Sequence, residues 1–295
     1  MNWGFRITAE GGLWPPYWHP AHLLHSRAIG KESMTTSFSR QMEDAEPEGH
    51  VVHLYGQDDQ LLVGKVCRYL AEGLKRGDGI VVVATPEHTK AFVQGIRDES
   101  GYARAVLEGR LVFMDAEEAL SSILVHGEPN WNRFLVTIGD GLRNVQDRGR
   151  GYTELRAYGE MVGLLWERRE HLAAARLEDY WNRLLEVTGC SLFCAYPIDV
   201  FGEDFQISKL DAVLCSHTHL LPVGKHLEAA VSRAMEEVLG ARIESLRHLM
   251  RPNFRPSWGD IPPAEGLVLW VRNNFQGQAD EILGRARQYY LAASE

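Results

Sequence analysis

IVVVAT, residues 80–85, constrains the fold more than any other stretch of this chain. It is apolar at five of six positions and rich in β-branched side chains, with no polar residue before the closing Thr85. A half-buried strand alternates polar and apolar residues, whereas a strand covered on both faces reads as a continuous apolar run. The run therefore predicts a central strand of a parallel sheet with helices above and below it.

The flanking pattern agrees. VVHLY (51–55) reads as a strand and is followed by Gly56 and the capping signal Asp58/Asp59. Leu62, Val66, Tyr69, Leu70 and Leu74 then recur at helical spacing, and GDG (77–79) ends the unit. Pro86 opens a helix that runs through Gly95 to Arg97. LVFMDA (111–116) is a third strand, followed by a helix from Glu117 and another from about Trp131 to Val145. TELRAY (153–158) is a fourth strand that precedes a long helix, and SLFCAYP (191–197) is the last clear strand. Five strands alternating with helices specify an α/β fold with a doubly wound, mostly parallel sheet.

The ends of the chain differ from this middle. Residues 1–48 are irregular, with WPPYWHP and a polar stretch without period, and read as a loosely packed arm in which Met34 is an alternative start. After Pro222, HLEAAVSRAMEEVLG carries the stripe Leu227, Val231, Met235 and Val238. LVLWVRNNF and ADEILGRARQYYL add two helices beyond the proline-rich link RPNFRPSWGDIPPAEG. The expected organisation is an arm at 1–48, an α/β domain at 49–222 and a C-terminal helical extension at 223–295. That extension serves either to cover a sheet edge or to contact a partner or second subunit.

The first strand, turn and helix invite comparison with a phosphate-binding loop. Such a loop needs G-x-x-x-x-G-K-[ST], in which backbone N–H groups wrap the phosphates, the lysine neutralises them and the hydroxyl holds Mg²⁺. With Gly64-Lys65 as its closing pair, the chain has Asp59 where the first glycine is required and Val66 where the hydroxyl is required. Gly64 and Lys65 are therefore read as ordinary helix residues. A net charge of −9 disfavours direct nucleic-acid binding, because phosphate neutralisation needs a basic face. No run of about 18 apolar residues is present, so no membrane span and a cytoplasmic location are expected. Cys67, Cys190, Cys194 and Cys215 read as reduced residues in apolar segments. Cys215, His217 and His219 alternate as three conceivable ligands, but no CxxC or HExxH spacing accompanies them. The expectation is no metal and no cofactor.

In an open parallel sheet, ligands bind beyond the carboxyl ends of the strands. Those ends deliver Tyr55 to Asp58, Thr85 to His88, Asp115, Arg156 to Glu160, and Tyr196-Pro197. Asp115 after LVFM has the form of the aspartate that holds Mg²⁺ in RecA-like ATPases, and equally that of a helix cap. Arg156 and Glu160 read as charges at the rim of a pocket or as a structural ion pair. No Ser/His/Asp or Cys/His arrangement is recognisable.

Taken together, HVVHLYGQDDQLLVGKVCRYLAEGLKRGDGIVVVAT, LRAYGEMVGLLWERREHLAAARLEDYWNRLL and SLFCAYPIDVF resemble the MEDS family, the DcmR-like sensory domain, over about residues 49–222. The resemblance implies a divergent RecA-like three-layer sandwich without a P-loop. It also implies a sensor of small hydrocarbon derivatives, used alone or joined to histidine kinases and DNA-binding regulators. The matching positions are His53 and Tyr55, Glu72 to Leu74, Gly77-Asp78, Arg156, Gly159-Glu160, and Cys194 to Pro197. The ligand-binding candidates are therefore His53, Tyr55, Asp58, Thr85, His88, Asp115, Arg156, Glu160 and Tyr196, with no catalytic set. The leading expectation is a non-catalytic module that binds a small organic ligand and signals through a kinase or regulator partner, or as a homodimer. The alternatives are a divergent nucleotide-binding ATPase or phosphotransfer enzyme using Asp115, Glu160 and Arg156, and an interaction scaffold without ligand.

Overall fold

The computed structural model describes residues 49–56, 59–148, 152–240, 243 and 261–294. These fall in one unit, Met42–Glu295. The N-terminal arm, Asp58 and residues 251–260 of the proline-rich link lie outside the described residues.

The main-sheet strands are β1 (His50–Leu54), β2 (Gly79–Ala84), β3 (Leu111–Asp115), β6 (Leu155–Gly159), β7 (Ser191–Tyr196) and β8 (His219–Leu221). They form a six-stranded sheet in the order β3-β2-β6-β7-β1-β8, and every neighbouring pair is parallel. The fold is thus α/β with helices on both faces. IVVVA is fully buried, as a two-faced apolar strand requires. The sixth strand, β8, was not legible in the sequence, because three residues behind a Ser-His-Thr run carry no period. A short hairpin, β4 (Leu124–Val125) with β5 (Glu128–Pro129), was equally invisible.

One face of the sheet is covered by α1 (Asp59–Arg76) and α2 (Pro86–Ile96), with α3 (Tyr102–Leu107) beside them. Leu62, Val66, Leu70 and Leu74 from α1 and Phe92 and Ile96 from α2 pack there on Val51, Ile80, Val82, Tyr158 and Phe193. Each such side chain contributes roughly 1.5–3 kcal/mol by leaving water. Gly64 and Lys65 lie inside α1, and the Lys65 ammonium donates to the Pro222 carbonyl at 2.7 Å. Gly77, at φ +84°, closes α1. Its N–H and that of Asp78 both return to the Gly73 carbonyl, at 3.0 and 2.9 Å.

The other face carries α4 (Ala116–Ile123), a helical stretch from α5 (Trp131–Phe134) through a π-turn to α6 (Asp140–Arg148), α7 (Met161–Glu167) and α8 (His171–Thr188). The long helix expected after TELRAY is two helices. Arg169, at φ +62°, breaks it, and this left-handed residue sits in a run of charged residues with no sequence signature of its own. α9 (Ile207–Cys215) then leads to β8.

The C-terminal helices α10 (Leu227–Leu239), α11 (Pro263–Asn274) and α12 (Ala279–Ser294) join the same core. Leu227, Val231, Met235, Val268, Leu269 and Ile282 are buried in one cluster with Leu220 and Val223. Glu265 of α11 is fully buried, and its Oε1 accepts the Val223 N–H at 2.6 Å. Its Oε2 has no partner among the described residues. Burial pushes its pKa up to about 7 from 4.5, against hydrogen bonds from Val223 and its own backbone and the pull of Lys65, with Glu228 pushing it further up. A carboxyl group that holds its proton more tightly when folded costs stability as pH rises from about 4.5 through 7, by about 3 kcal/mol for this shift. Glu265→Gln is therefore expected to abolish that part of the pH dependence, narrowing the melting-temperature gap between pH 5 and pH 8. An unchanged gap would show that Glu265 ionises freely in the folded chain.

Candidate functional site at the switch of strand order

The chain leaves β2 outward to β3, whereas it leaves the neighbouring β6 in the opposite direction to β7. A crevice opens beyond the carboxyl ends of two strands whose connections diverge in this way. Glu160, directly after β6, stands there, with its N–H on the Val83 carbonyl at 3.1 Å.

The Glu160 carboxylate organises its surroundings. Oε2 accepts the Thr85 N–H at 2.9 Å, and Oε1 accepts the Tyr158 hydroxyl at 2.7 Å. Oε1 also lies 2.7 Å from His88 Nδ1, which must donate because an ionised carboxylate only accepts. Thr85 caps α2, its hydroxyl accepting the His88 N–H. The His88 ring stacks on Phe92 at 5.7 Å and meets the edge of Tyr55 at 6.2 Å. Its outer Nε2 stands 3.8 Å from Asp59, and the His88 side chain as a whole is 13% exposed.

These contacts set the charges. The Glu160 hydrogen bond, aided by the charges of Glu160 and Asp59, raises the His88 pKa against the opposing effect of burial. Burial first, then the carboxylates of Glu160, Glu167 and Asp59, keep the Tyr55 hydroxyl protonated to far above its ordinary range. Burial and Glu160 act on Tyr158 in the same direction. The crevice thus holds a histidine biased toward its cationic form between an aromatic wall and a fixed carboxylate. Glu160→Gln removes that bias, and the His88 titration midpoint followed by NMR is expected to fall toward 6.5. A midpoint that stays in place would assign the bias elsewhere.

Of the nine candidates, the structure brings together Tyr55, Thr85, His88 and Glu160. Asp58 lies outside the described residues. Asp115 caps α4, accepting the N–H groups of Glu117 and Glu118 at 2.8 and 3.0 Å. Arg156 is not at the crevice, nor is it paired with Glu160. It is the second residue of β6, at the opposite end of the strand, and its Nε donates to Asp78 at 2.5 Å. Arg156 and Glu160 are four residues apart, so along a strand they occupy its two ends, and the strand end at which the sequence groups them delivers Glu160 alone. His53 is fully buried and edge-on to Phe193 at 6.4 Å. Burial holds its pKa well below the ordinary value, helped by Lys65. Tyr196 ends β7 on the opposite face, donating to Glu178 Oε1 at 2.6 Å.

That second face holds a group the strand-end reasoning missed. His50, Glu178, Cys194 and His217 converge, their potential ligand atoms all within 4.8 Å of one another. Burial alone would raise the Glu178 pKa, but the two imidazoles outweigh it and hold the carboxyl well below its usual range. Of the alternating trio suspected in the sequence, only His217 turns inward, with its side chain 1% exposed. His219 is exposed, and so is Cys215. Glu178 carried no signal, being one acidic residue on a charged helix.

The fold and site together define a doubly wound parallel α/β domain with a polar switch-point crevice and no phosphate-binding loop motif at its first turn. The chain belongs to the MEDS family, the MEthanogen/methylotroph, DcmR Sensory domain, whose model matches residues 49–218. No curated protein matches the chain, and neither does any solved structure. The family is one of sensory domains. Among the described residues no helix is long and apolar enough to cross a membrane.

Proposed function

We propose that this chain is a cytoplasmic, ligand-responsive sensory module that reads a small organic molecule, such as an oxygenated or halogenated hydrocarbon, at the switch-point crevice. The observation that carries this reading is the His88–Glu160 pair, held by Tyr158 and Thr85 and walled by Tyr55 and Phe92. Glu160 is engaged at both oxygens by protein donors, so its part is to hold His88. The group left to meet a ligand is the outer edge of the His88 ring, with the Asp59 carboxylate 3.8 Å from its Nε2 and the Tyr55 ring beside it. One polar handle against aromatic walls suits a small molecule with a single oxygen or halogen. Glu160 begins α7 and His88 lies in the first turn of α2. A ligand that favours one arrangement of the pair would therefore bias two helices at once. Such a bias transmits a signal only where the ligand binds one conformation better than the other. The receiver on this reading is a histidine kinase or transcription regulator contacted through residues 223–295.

A thermal-shift series on the full chain tests the reading. A ligand present at 100 times its Kd adds about 2.7 kcal/mol to the folded state. The expected result is stabilisation by short oxygenated or halogenated hydrocarbons that disappears in His88→Ala. Saturable stabilisation by Mg-ATP, with none by the organics, would overturn it in favour of the nucleotide-binding alternative.

A further inference from the structure

We propose that His50, Glu178, Cys194 and His217 form a binding site for one divalent borderline-soft metal ion, zinc foremost. The site is independent of the switch-point crevice and lies on the other face of the sheet. Its ligands come from four separate places: the first residue of β1, the middle of α8, the middle of β7 and the turn between α9 and β8. Each is buried to within a few percent or completely.

The hydrogen bonds behind the two imidazoles carry the argument. His50 Nδ1 lies 2.8 Å from Asn182 Oδ1, and the orientation of that amide is fixed because Asn182 Nδ2 donates to the Ser216 carbonyl at 3.0 Å. His217 Nδ1 lies 2.5 Å from the Val213 carbonyl. Both acceptors are oxygens without a proton to give, so both Nδ1 atoms must donate. In a neutral ring the Nε2 lone pair then points inward. This arrangement, in which the rear N–H is tied to an oxygen and the front nitrogen is free, orients histidines for metal ligation.

What the lone pairs meet is more oxygen. His50 Nε2 is 3.3 Å from Glu178 Oε2, and His217 Nε2 is 3.3 Å from Glu178 Oε1. The His217 Nε2 is buried with no hydrogen-bond partner among the described residues. An imidazole nitrogen and a carboxylate at that distance are held together by a cation between them, either a proton on Nε2 or a metal ion shared by both. Cys194 Sγ completes the group, 3.3 Å from His50 Nε2 and 3.9 Å from Glu178 Oε2.

The spacings and the charge both fit a metal. Bond lengths of about 2.0–2.3 Å to nitrogen, oxygen and sulfur place tetrahedral ligand atoms roughly 3.3–3.6 Å apart; the closest pairs here already stand at 3.3 Å, and the group as a whole, within 4.8 Å, would draw in slightly around an ion. On binding, Cys194 gives its proton to solvent and forms the metal–sulfur bond. One thiolate and one carboxylate then balance a dication, leaving no net charge in an apolar core. Two protonated histidines in its place would leave an unbalanced buried positive charge. A sulfur, two imidazoles and a carboxylate favour zinc or a similar ion over magnesium or calcium. Four protein ligands also leave no open position, so the ion would fasten the His217 turn to the sheet.

The test uses full-length protein purified without a metal-affinity resin, stripped with a chelator and titrated with cobalt(II). The expected result is uptake of about one equivalent, with the visible bands of a tetrahedral ion and a thiolate-to-cobalt charge-transfer band. These should persist in Cys215→Ser and be displaced by zinc. Cys194→Ser, which keeps a small polar side chain, should lose the charge-transfer band, and His217→Asn should weaken binding at least tenfold. A folded wild-type chain that takes up no cobalt would overturn the proposal, as would a band that survives in Cys194→Ser or vanishes in Cys215→Ser. The spectra of the wild type and of the surface variant decide the matter even where the core variants do not fold.

Discussion

Glu178→Ala is expected to lower the unfolding free energy by roughly 3–5 kcal/mol, the cost of removing one partner from a buried charged cluster. Glu178 is completely buried, yet its carboxylate accepts the Tyr196 hydroxyl at 2.6 Å and stands 3.3 Å from both His50 and His217. Truncation leaves a buried hydroxyl and two imidazoles facing a void that is too enclosed for easy hydration. Each unsatisfied group costs about 1–3 kcal/mol. For a unit of this size the loss corresponds to a fall in melting temperature on the order of 10 °C. Glu178→Gln is expected to lose much less, because an amide of the same shape still accepts from Tyr196. Urea denaturation of the two variants beside the wild type measures the difference. A loss below about 1 kcal/mol in the alanine variant would mean that the cluster rearranges and that its geometry is not what holds α8 and the His217 turn to the sheet.

Asp78→Ala should do comparable damage by a different route. Asp78 and Arg156 are 0% and 3% exposed and form an ion pair at 2.5 Å, deep under α1. Asp78 Oδ1 also accepts the Glu154 N–H at 3.2 Å, and its carbonyl accepts from Arg110 at 3.0 Å. Once the carboxylate is removed, the guanidinium loses its 2.5 Å counter-charge, for which neutral contacts such as the Tyr69 carbonyl at 3.3 Å and the Tyr69 ring at 5.0 Å do not substitute. A cation so placed costs roughly 3–5 kcal/mol. The double variant Asp78→Ala/Arg156→Met should recover most of that loss, because two apolar groups have no charge to leave stranded. Destabilisation equal to the sum of two separately measured losses would instead show that the pair does not interact, since coupled residues are non-additive.

That pair also explains two of the segments on which the family resemblance rests. EGL-x-x-GD and R-x-x-GEM are far apart in the chain, yet Asp78 of one holds Arg156 of the other. Gly73 makes room for the arginine, since a Cβ there would lie 2.9 Å from Arg156 Cδ. Their residue types are accounted for by packing and charge pairing at the end of the sheet away from the crevice. In the second segment, Glu160 faces the crevice, so one short motif serves both ends of β6.

The sequence by itself determined the strand-helix alternation, the two-sided burial of IVVVA, the failed phosphate loop after β1 and the helical stripe of residues 227–238. Each is a local property: hydrophobic period, β-branching, a missing glycine and hydroxyl, and spacing of three to four residues. It also put Tyr55, Thr85, His88 and Glu160 at strand ends, because a residue that follows an apolar run must emerge where the strand does. Only the tertiary structure decided which strand ends adjoin. β2 and β6 are neighbours although more than seventy residues separate their register partners Val83 and Gly159, and nothing in either segment encodes that pairing. The same holds for the cluster on the other face. His50, Glu178, Cys194 and His217 have no motif spacing, since a site assembled from two strands, a helix and a turn is defined by the order of strands in the sheet. That order follows from the long-range packing of the whole core.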